Sequence, residues 1–252
     1  MPPLVSHMVV ARRAAARLGD TPPIADWGAF LLGATSPDIR VLTRWERERT
    51  HFYDLEQYEH QDSMAAFFRA HPRLREAALL NESTVAWTCG FLTHLVMDED
   101  YIRRVYRPFF GAYSPLGGTE RAHLLDRILQ YEFDRREREE RETMAAFREA
   151  LGASALEIES GFIDRATLEQ WRTVCISVTE HPPDWERFTK VASRHLRQAG
   201  IESPAELEAF LEQVPELLEE TLRSVDMASV ESFFEETTER TVGCLREYLA
   251  CP

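Results

Sequence analysis

The sequence predicts an all-α protein. Alternating β-branched runs and Asn-Gly hairpin turns are missing, so no strand signal stands out. Apolar residues recur instead at helical spacing, between recognisable caps, along most of the 252 residues. A composition of 44% hydrophobic and 29% charged residues is that of a globular chain able to bury a large core.

The elements follow in order. Residues 5–18 carry Val5, Val9 and Leu18 with alanines between, and Gly19 ends the helix. Residues 27–32 form a short apolar helix ended by Gly33, and residues 34–50 read as loop plus a short helix. Residues 63–69 and 72–80 are expected to be helices or parts of one. Residues 83–106 read as a long buried helix that Pro108 stops. A loop over 111–118 contains Pro115. Thr119 then caps a helix expected to run past Arg141, whose stretch 132–142 alternates in charge on a solvated face. Residues 166–179 precede His181-Pro182-Pro183, and Asp184 is placed to cap a helix ending at Gly200. Ser203-Pro204-Ala205-Glu206 is a capping box with proline at the first helical position. Pro215 predicts a break or kink, and 230–249 is the last helix. Residues 1–150 carry the chemistry. Residues 151–252 form a helical extension packed on them, or one continuous domain with them.

Charge and composition narrow the function. Between 202 and 239 stand twelve acidic residues against one base, Arg223, which accounts for −11 of the net −14. A groove that tracks nucleic-acid phosphates is therefore not expected. The start of the chain turns charged at Arg12 and Arg13 and has no signal-peptide pattern. No apolar run approaches the ~20 residues of a membrane span. A cytoplasmic location is expected; the oligomeric state is not legible. Cys89, Cys175, Cys244 and Cys251 show no CxxC spacing and read as buried free thiols.

Four places could carry chemistry. His94 and Asp98, four apart after Gly90, share one face of an apolar helix. Burying them bare is costly, so they either hydrogen-bond each other or share a metal, and imidazole with carboxylate suits zinc. Asp38 follows Pro37 in a turn and is either a ligand or a helix N-cap. His51 stands between Thr50 and Phe52 after the charged stretch 44–49. His7 lies on an apolar helix start, as a ligand or as a satisfied core residue. Arg40, Arg44, Arg47, Arg49, Arg103, Arg104 and Arg107 flank these positions. Guanidinium forks suit phosphate, and a solvated face is the plainer reading. His60, His71, His181 and His195 show no ligand spacing and read as surface or packing residues.

The order His7, Pro37-Asp38, Thr50-His51-Phe52 and His94-x-x-x-Asp98 resembles the zinc-dependent phospholipase C family and its single-strand nuclease relatives. The resemblance covers roughly residues 1–135, and nothing after 150 resembles a known family. It implies a multi-helix bundle in which His7, Asp38, His51, His94 and Asp98 bind zinc. It departs from the family beyond Asp98: Tyr101 to Arg104 fill a stretch where a further histidine is expected. Later, His123 is followed by Asp126 at three and Arg127 at four, where a Glu is expected. His123 and Asp126 are retained as weaker candidate ligands, with Glu132 and Asp134 from a loosely matching Tyr131-Glu132-Phe133-Asp134 segment. One firmly bound zinc is expected, with a second and weaker one near His7, and not three; iron or manganese could take its place.

The resemblance implies hydrolysis of a phosphoric ester, the substrate being a small phosphate ester or a phospholipid. A zinc-activated hydroxide would be the nucleophile, and Asp38 or Asp98 would orient the attacking water. A second reading is a catalytically silent, metal-stabilised interaction protein with a closed four-ligand site and an acidic partner surface. A third is a di-iron oxidative enzyme, against which stands the lack of Glu-x-x-His motifs.

Overall fold

A computed structural model describes residues 2–19 and 24–250. Its regular structure is helical throughout, and no strand occurs among the described residues. The first half holds α1 (Leu4–Leu18), α2 (Trp27–Gly33), a 3-10 turn (Ser36–Ile39), α3 (Arg40–Thr43), α4 (Glu48–His51) and α5 (Ser63–Ala70). Then come 3-10 turns at Pro72–Arg75 and Ala77–Leu79, α6 (Glu82–Tyr101) and a π-helix (Ile102–Phe110). The rest is α7 (Glu120–Arg138), α8 (Arg141–Ala153), α9 (Arg165–Glu180), α10 (Phe188–Val191), α11 (Ser193–Gln198), α12 (Pro204–Ser224) and α13 (Met227–Ala250). No helix among the described residues is long and apolar enough to cross a membrane.

α6 is the centre of the fold. Asn81 caps it by accepting from the Thr84 amide, and every residue from Ala86 to Tyr101 is buried. A helix buried all round needs neighbours on every side, and α6 packs chiefly on α2, α13 and α1. Its crossing with α2 is glycine-lined: a Cβ on Gly90 would lie 2.0 Å from the Phe30 carbonyl oxygen, and one on Gly33 2.0 Å from that of Trp87. Phe30, Phe67, Trp87, Phe91 and Trp171 fill one apolar core. Tyr101, Leu125, Phe188, Phe210 and Phe233 fill a second one beyond it.

Several expected boundaries move. Pro108 does not stop the long helix; it lies inside the π-helix, which ends with the Gly111 amide on the Tyr106 carbonyl at 2.8 Å. The i→i+5 pattern shifts the carbonyl that would meet the proline ring in an α-helix. The segment 72–80 forms two 3-10 turns rather than a helix. The helix opened by Thr119 ends at Arg138, and α8 starts separately at Arg141. The 132–142 face is not simply solvated, because Glu132, Asp134 and Arg138 are buried. Asp184 accepts from the Glu186 amide in a local turn instead of capping a long helix, so 184–200 breaks into α10 and α11. Pro215 does not break α12, which starts with the capping box expected at Ser203 and Glu206. Cys89 and Cys175 are buried free thiols and Cys244 a partly buried one; Cys251 lies outside the described residues. α8 runs across residue 150, and α13 packs on α1 and α6. We propose that the two halves form one folding unit.

Candidate metal centre

Four elements bring five candidate ligands together. α1 contributes His7, with the Val5 amide of its first turn donating to Asp134 Oδ1 at 3.2 Å. The 3-10 turn after α2 contributes Asp38. This turn is pinned to α6, since Trp87 Nε1 donates to Ser36 Oγ at 2.9 Å and Ser36 donates to the Leu32 carbonyl at 2.7 Å. α4 contributes His51, the last residue before Phe52 turns into the left-handed region at φ 54°. α6 contributes His94 and Asp98 one turn apart.

Asp98 is the hub. Its Oδ1 lies 3.5 Å from His7 Nε2, and its Oδ2 lies 3.3 Å from His94 Nε2 and 3.5 Å from His51 Nε2. Asp38 Oδ1 lies 3.3 Å from His51 Nε2. The carboxylate of Asp38 therefore meets a histidine and caps no helix. The His7 and His94 rings stack with centroids 3.7 Å apart and planes within 8°.

Two of the three rings are oriented from outside, whereas neither nitrogen of His7 has a hydrogen-bond partner. His94 Nδ1–H donates to the Ala34 carbonyl at 2.9 Å. His51 Nδ1 lies 2.9 Å from Thr50 Oγ1, whose hydroxyl can donate to the Arg47 carbonyl at 3.4 Å and so accept from the imidazole. Both arrangements put the proton on Nδ1 and aim the Nε2 lone pair inward, as in metal sites with a backbone or hydroxyl partner behind the histidine.

The inward atoms have no protein partner that satisfies them. Nε2 of His7, His51 and His94 and Oδ1 of Asp98 are buried without a hydrogen bond. Four such atoms in one place would be expensive unless something binds them. Their spacing fits an ion. Donors ~2.0–2.2 Å from a tetrahedral zinc lie roughly 3.3–3.6 Å from one another, which is the range found around Asp98. Two groups have ligand atoms mutually within 4.8 Å, namely His7, His94 and Asp98, and Asp38, His51 and His94.

The electrostatics suit ligation. Burial, reinforced by His94, pushes His7 down to about 3. Burial and the nearby Arg47 push His51 down to about 4. Burial also opposes a charge on His94, but Asp98 and Asp38 outweigh it and hold this histidine up. Burial works against both carboxylates as well, yet His51 holds Asp38 low and His94 holds Asp98 well below the usual range. His7 and His51 are thus neutral imidazoles beside ionised carboxylates, the protonation states that metals require, while His94 is held toward its charged form and would release a proton on ligation.

His123 and Asp126 are not brought to this cluster. The His123 side chain is 30% exposed and its Nε2 lies 3.2 Å from the Tyr106 hydroxyl. Asp126 is buried and accepts from Tyr101 and Gln130, each at 2.7 Å. Arg127 reaches His195 Nε2 at 3.2 Å and Gln130 at 2.9 Å. Glu132 is paired with Arg135 and Arg136, and Asp134 with Arg138. His71 stacks on Phe162, as a packing residue would. What sequence reasoning missed is the set that aims the ligands: the Ala34 carbonyl, Thr50, and the Trp87–Ser36 pin.

The sequence model of the zinc-dependent phospholipase C family matches residues 6–98. This segment of the chain is similar to that family. The match starts just before His7 and ends on Asp98, so the matched segment spans all five candidate donors. Residues 99–252 lie outside it. No curated protein and no solved structure matches the chain.

Proposed function

We propose that this chain is a metal-dependent hydrolase of phosphoric esters with zinc as its resident ion. The observation that carries the reading is the set of buried inward-facing atoms on His7, His51, His94 and Asp98 that no protein group satisfies. In this reading Asp38, His51, His94 and Asp98 hold one firm ion, and His7 with Asp98 begins a weaker second site. Iron or manganese fit the same donors less selectively. Bound zinc supplies Lewis acidity toward a phosphoryl oxygen and a nucleophile near neutral pH.

The chain's own residues do the rest. Burial keeps His7 and His51 neutral, so their lone pairs stay available. Ala34 and Thr50 prevent the rings of His94 and His51 from turning away. The side chain of Asp38 is 23% exposed, whereas those of His7, His51 and Asp98 are 0–3% exposed. Asp38 is therefore the carboxylate that incoming water meets. Held in its ionised form, it accepts a hydrogen bond from that water and orients it. Asp98 keeps the three imidazoles in register.

An open mouth at Asp38 favours an enzyme over a silent, closed metal site. The test is a panel of phosphodiesters, phosphomonoesters and phospholipids, assayed with zinc, manganese and iron, with metal counted per chain. Slow hydrolysis of at least one ester is expected, abolished by a chelator and restored by metal, with one or two ions per chain. Silence across the panel at full metal content would favour the interaction protein.

A further inference from the structure

We propose that Asp134 of α7 is the positioning residue for His7, holding the first turn of α1 so that the His7 ring faces the metal. The proposal rests on the metal reading of the centre and adds to it a residue from outside the matched segment 6–98. His94 and His51 are aimed by groups behind their rings, the Ala34 carbonyl and Thr50. His7 is not: both of its ring nitrogens are buried without a hydrogen bond among the described residues. Its stack on His94 sets the plane of the ring. A stack leaves the ring room to slide within that plane, so the place of Nε2 depends on the register of α1.

α1 begins without a cap of its own. Pro3 stands at its N-cap with no side-chain acceptor, and its first turn holds no acid. The early amides of a helix need an acceptor. Asp134 supplies it from 129 residues away, where its Oδ1 accepts from the Val5 amide at 3.2 Å and the Ser6 amide bears on the same carboxylate. Val5 and Ser6 are the two residues before His7. Val5, Met8 and Val9 sit in the apolar core, and apolar contact is non-directional. The hydrogen bond to Asp134 is directional and fixes the helix along its axis.

The carboxylate is itself held. Its Oδ2 lies 3.0 Å from Arg138 Nε, and Arg138 Nη1 donates to the Pro182 carbonyl at 2.9 Å, with the guanidinium 5.2 Å from the Tyr131 ring. The side chains of Asp134 and Arg138 are 5% and 2% exposed. With one oxygen on α1 and the other on Arg138, Asp134 is an anchor for the helix that carries a ligand. A negative charge there also suits the positive end of the α1 dipole.

The experiment is a double-mutant cycle on full chains: wild type, Asp134→Ala, His7→Ala and the double variant. Zinc is titrated into each metal-free chain against a chromophoric chelator. His7→Ala identifies the zinc equivalent that His7 holds, expected to be the weaker one. Asp134→Ala should weaken that same equivalent about tenfold or more, as loss of a group behind a ligand does. In the His7→Ala background it should change zinc affinity little, because its effect passes through His7. Asp134→Asn, which keeps an acceptor for the Val5 amide, should lose less, and it takes the place of Asp134→Ala in the cycle if the alanine variant does not fold. Unchanged zinc affinity in Asp134→Ala would overturn the proposal. So would an equal loss with and without His7, or an equal loss at an equivalent that does not need His7, since both mark a merely structural role. If His7→Ala leaves zinc binding intact, the proposal falls while the metal reading stands on the other four donors. A wild type that takes up no zinc would overturn the metal reading as well.

Discussion

His94 is held from behind by the Ala34 carbonyl, and its other ring nitrogen faces Asp98 Oδ2 at 3.3 Å without a hydrogen bond. In a structural histidine that second nitrogen would find a donor. That second nitrogen has none, so we expect His94 to contribute to stability mainly through bound metal. A ligand bound only by the native state adds about 4 kcal/mol at a thousandfold excess over its dissociation constant. Wild type should melt well above its chelated form, and in His94→Ala that gap should collapse even though the variant also loses some core packing. An undiminished gap would remove His94 from the ligand set. Five of the seven candidate donors that the sequence offered do cluster, because i,i+4 spacing and the order of the motifs leave a trace in residue types, while His123 and Asp126 lie apart. The Ala34 carbonyl was not legible, since a backbone atom 60 residues away leaves no such trace.

At the scale of elements, the crossing of α2 over α6 sets how closely Ala34 approaches His94. It works because Gly33 and Gly90 each stand where a Cβ would collide with backbone. Gly90→Ala must push the two helices apart, at a cost of about 1–3 kcal/mol or more for overpacking. It should also weaken metal binding, because the separation carries the Ala34 carbonyl away from the ring. A variant of similar thermal loss in the second core, such as Phe188→Leu, should keep its metal affinity. Equal metal affinity in Gly90→Ala and Phe188→Leu, measured by competition with a chromophoric chelator, would sink this account. Periodicity located α1, α2, α9 and α13 to within a few residues and the starts of α6 and α12, because each has a strong cap or a long apolar face. It failed at Pro108, at Pro215 and over 184–200. There the outcome depends on which carbonyl or amide a single residue meets, and apolar spacing does not encode that.

For the whole molecule, the acidic second half turns out to be fastened to the nearly neutral first half by arginines of the latter. Glu235 and Glu239 of α13 clasp Arg17 of α1 at 2.6–2.8 Å, Glu236 pairs with Arg104, and Glu220 with Arg121. A net charge read from the sequence could not show that much of this acid is spent within the fold. The most deeply placed link is Arg240, which donates to Glu99 at 2.9 Å and to Asp100 at 2.6 Å, the two residues immediately after the hub aspartate. Ser63 and Thr237 complete those carboxylates. Arg240→Met would leave two buried carboxylates short of a cation, a loss on the order of 3 kcal/mol. Denaturant unfolding should show this as a lower midpoint within a single transition common to both halves. An unchanged midpoint, or two separate transitions, would refute the view that the halves fold as one.

The same link has a consequence for biosynthesis. All five candidate donors leave the ribosome before residue 99, yet the cation that bonds both Glu99 and Asp100 most closely, beyond the looser Arg103 and Arg104, is encoded some 140 residues later. Until it emerges, those carboxylates keep part of their hydration at the end of α6 beside the centre. A nascent chain can therefore gather its donors early, but only the finished chain can seal them. Such long-range closure is slow by nature, so an ion held by these residues would be expected to exchange more readily before the last helix docks than after.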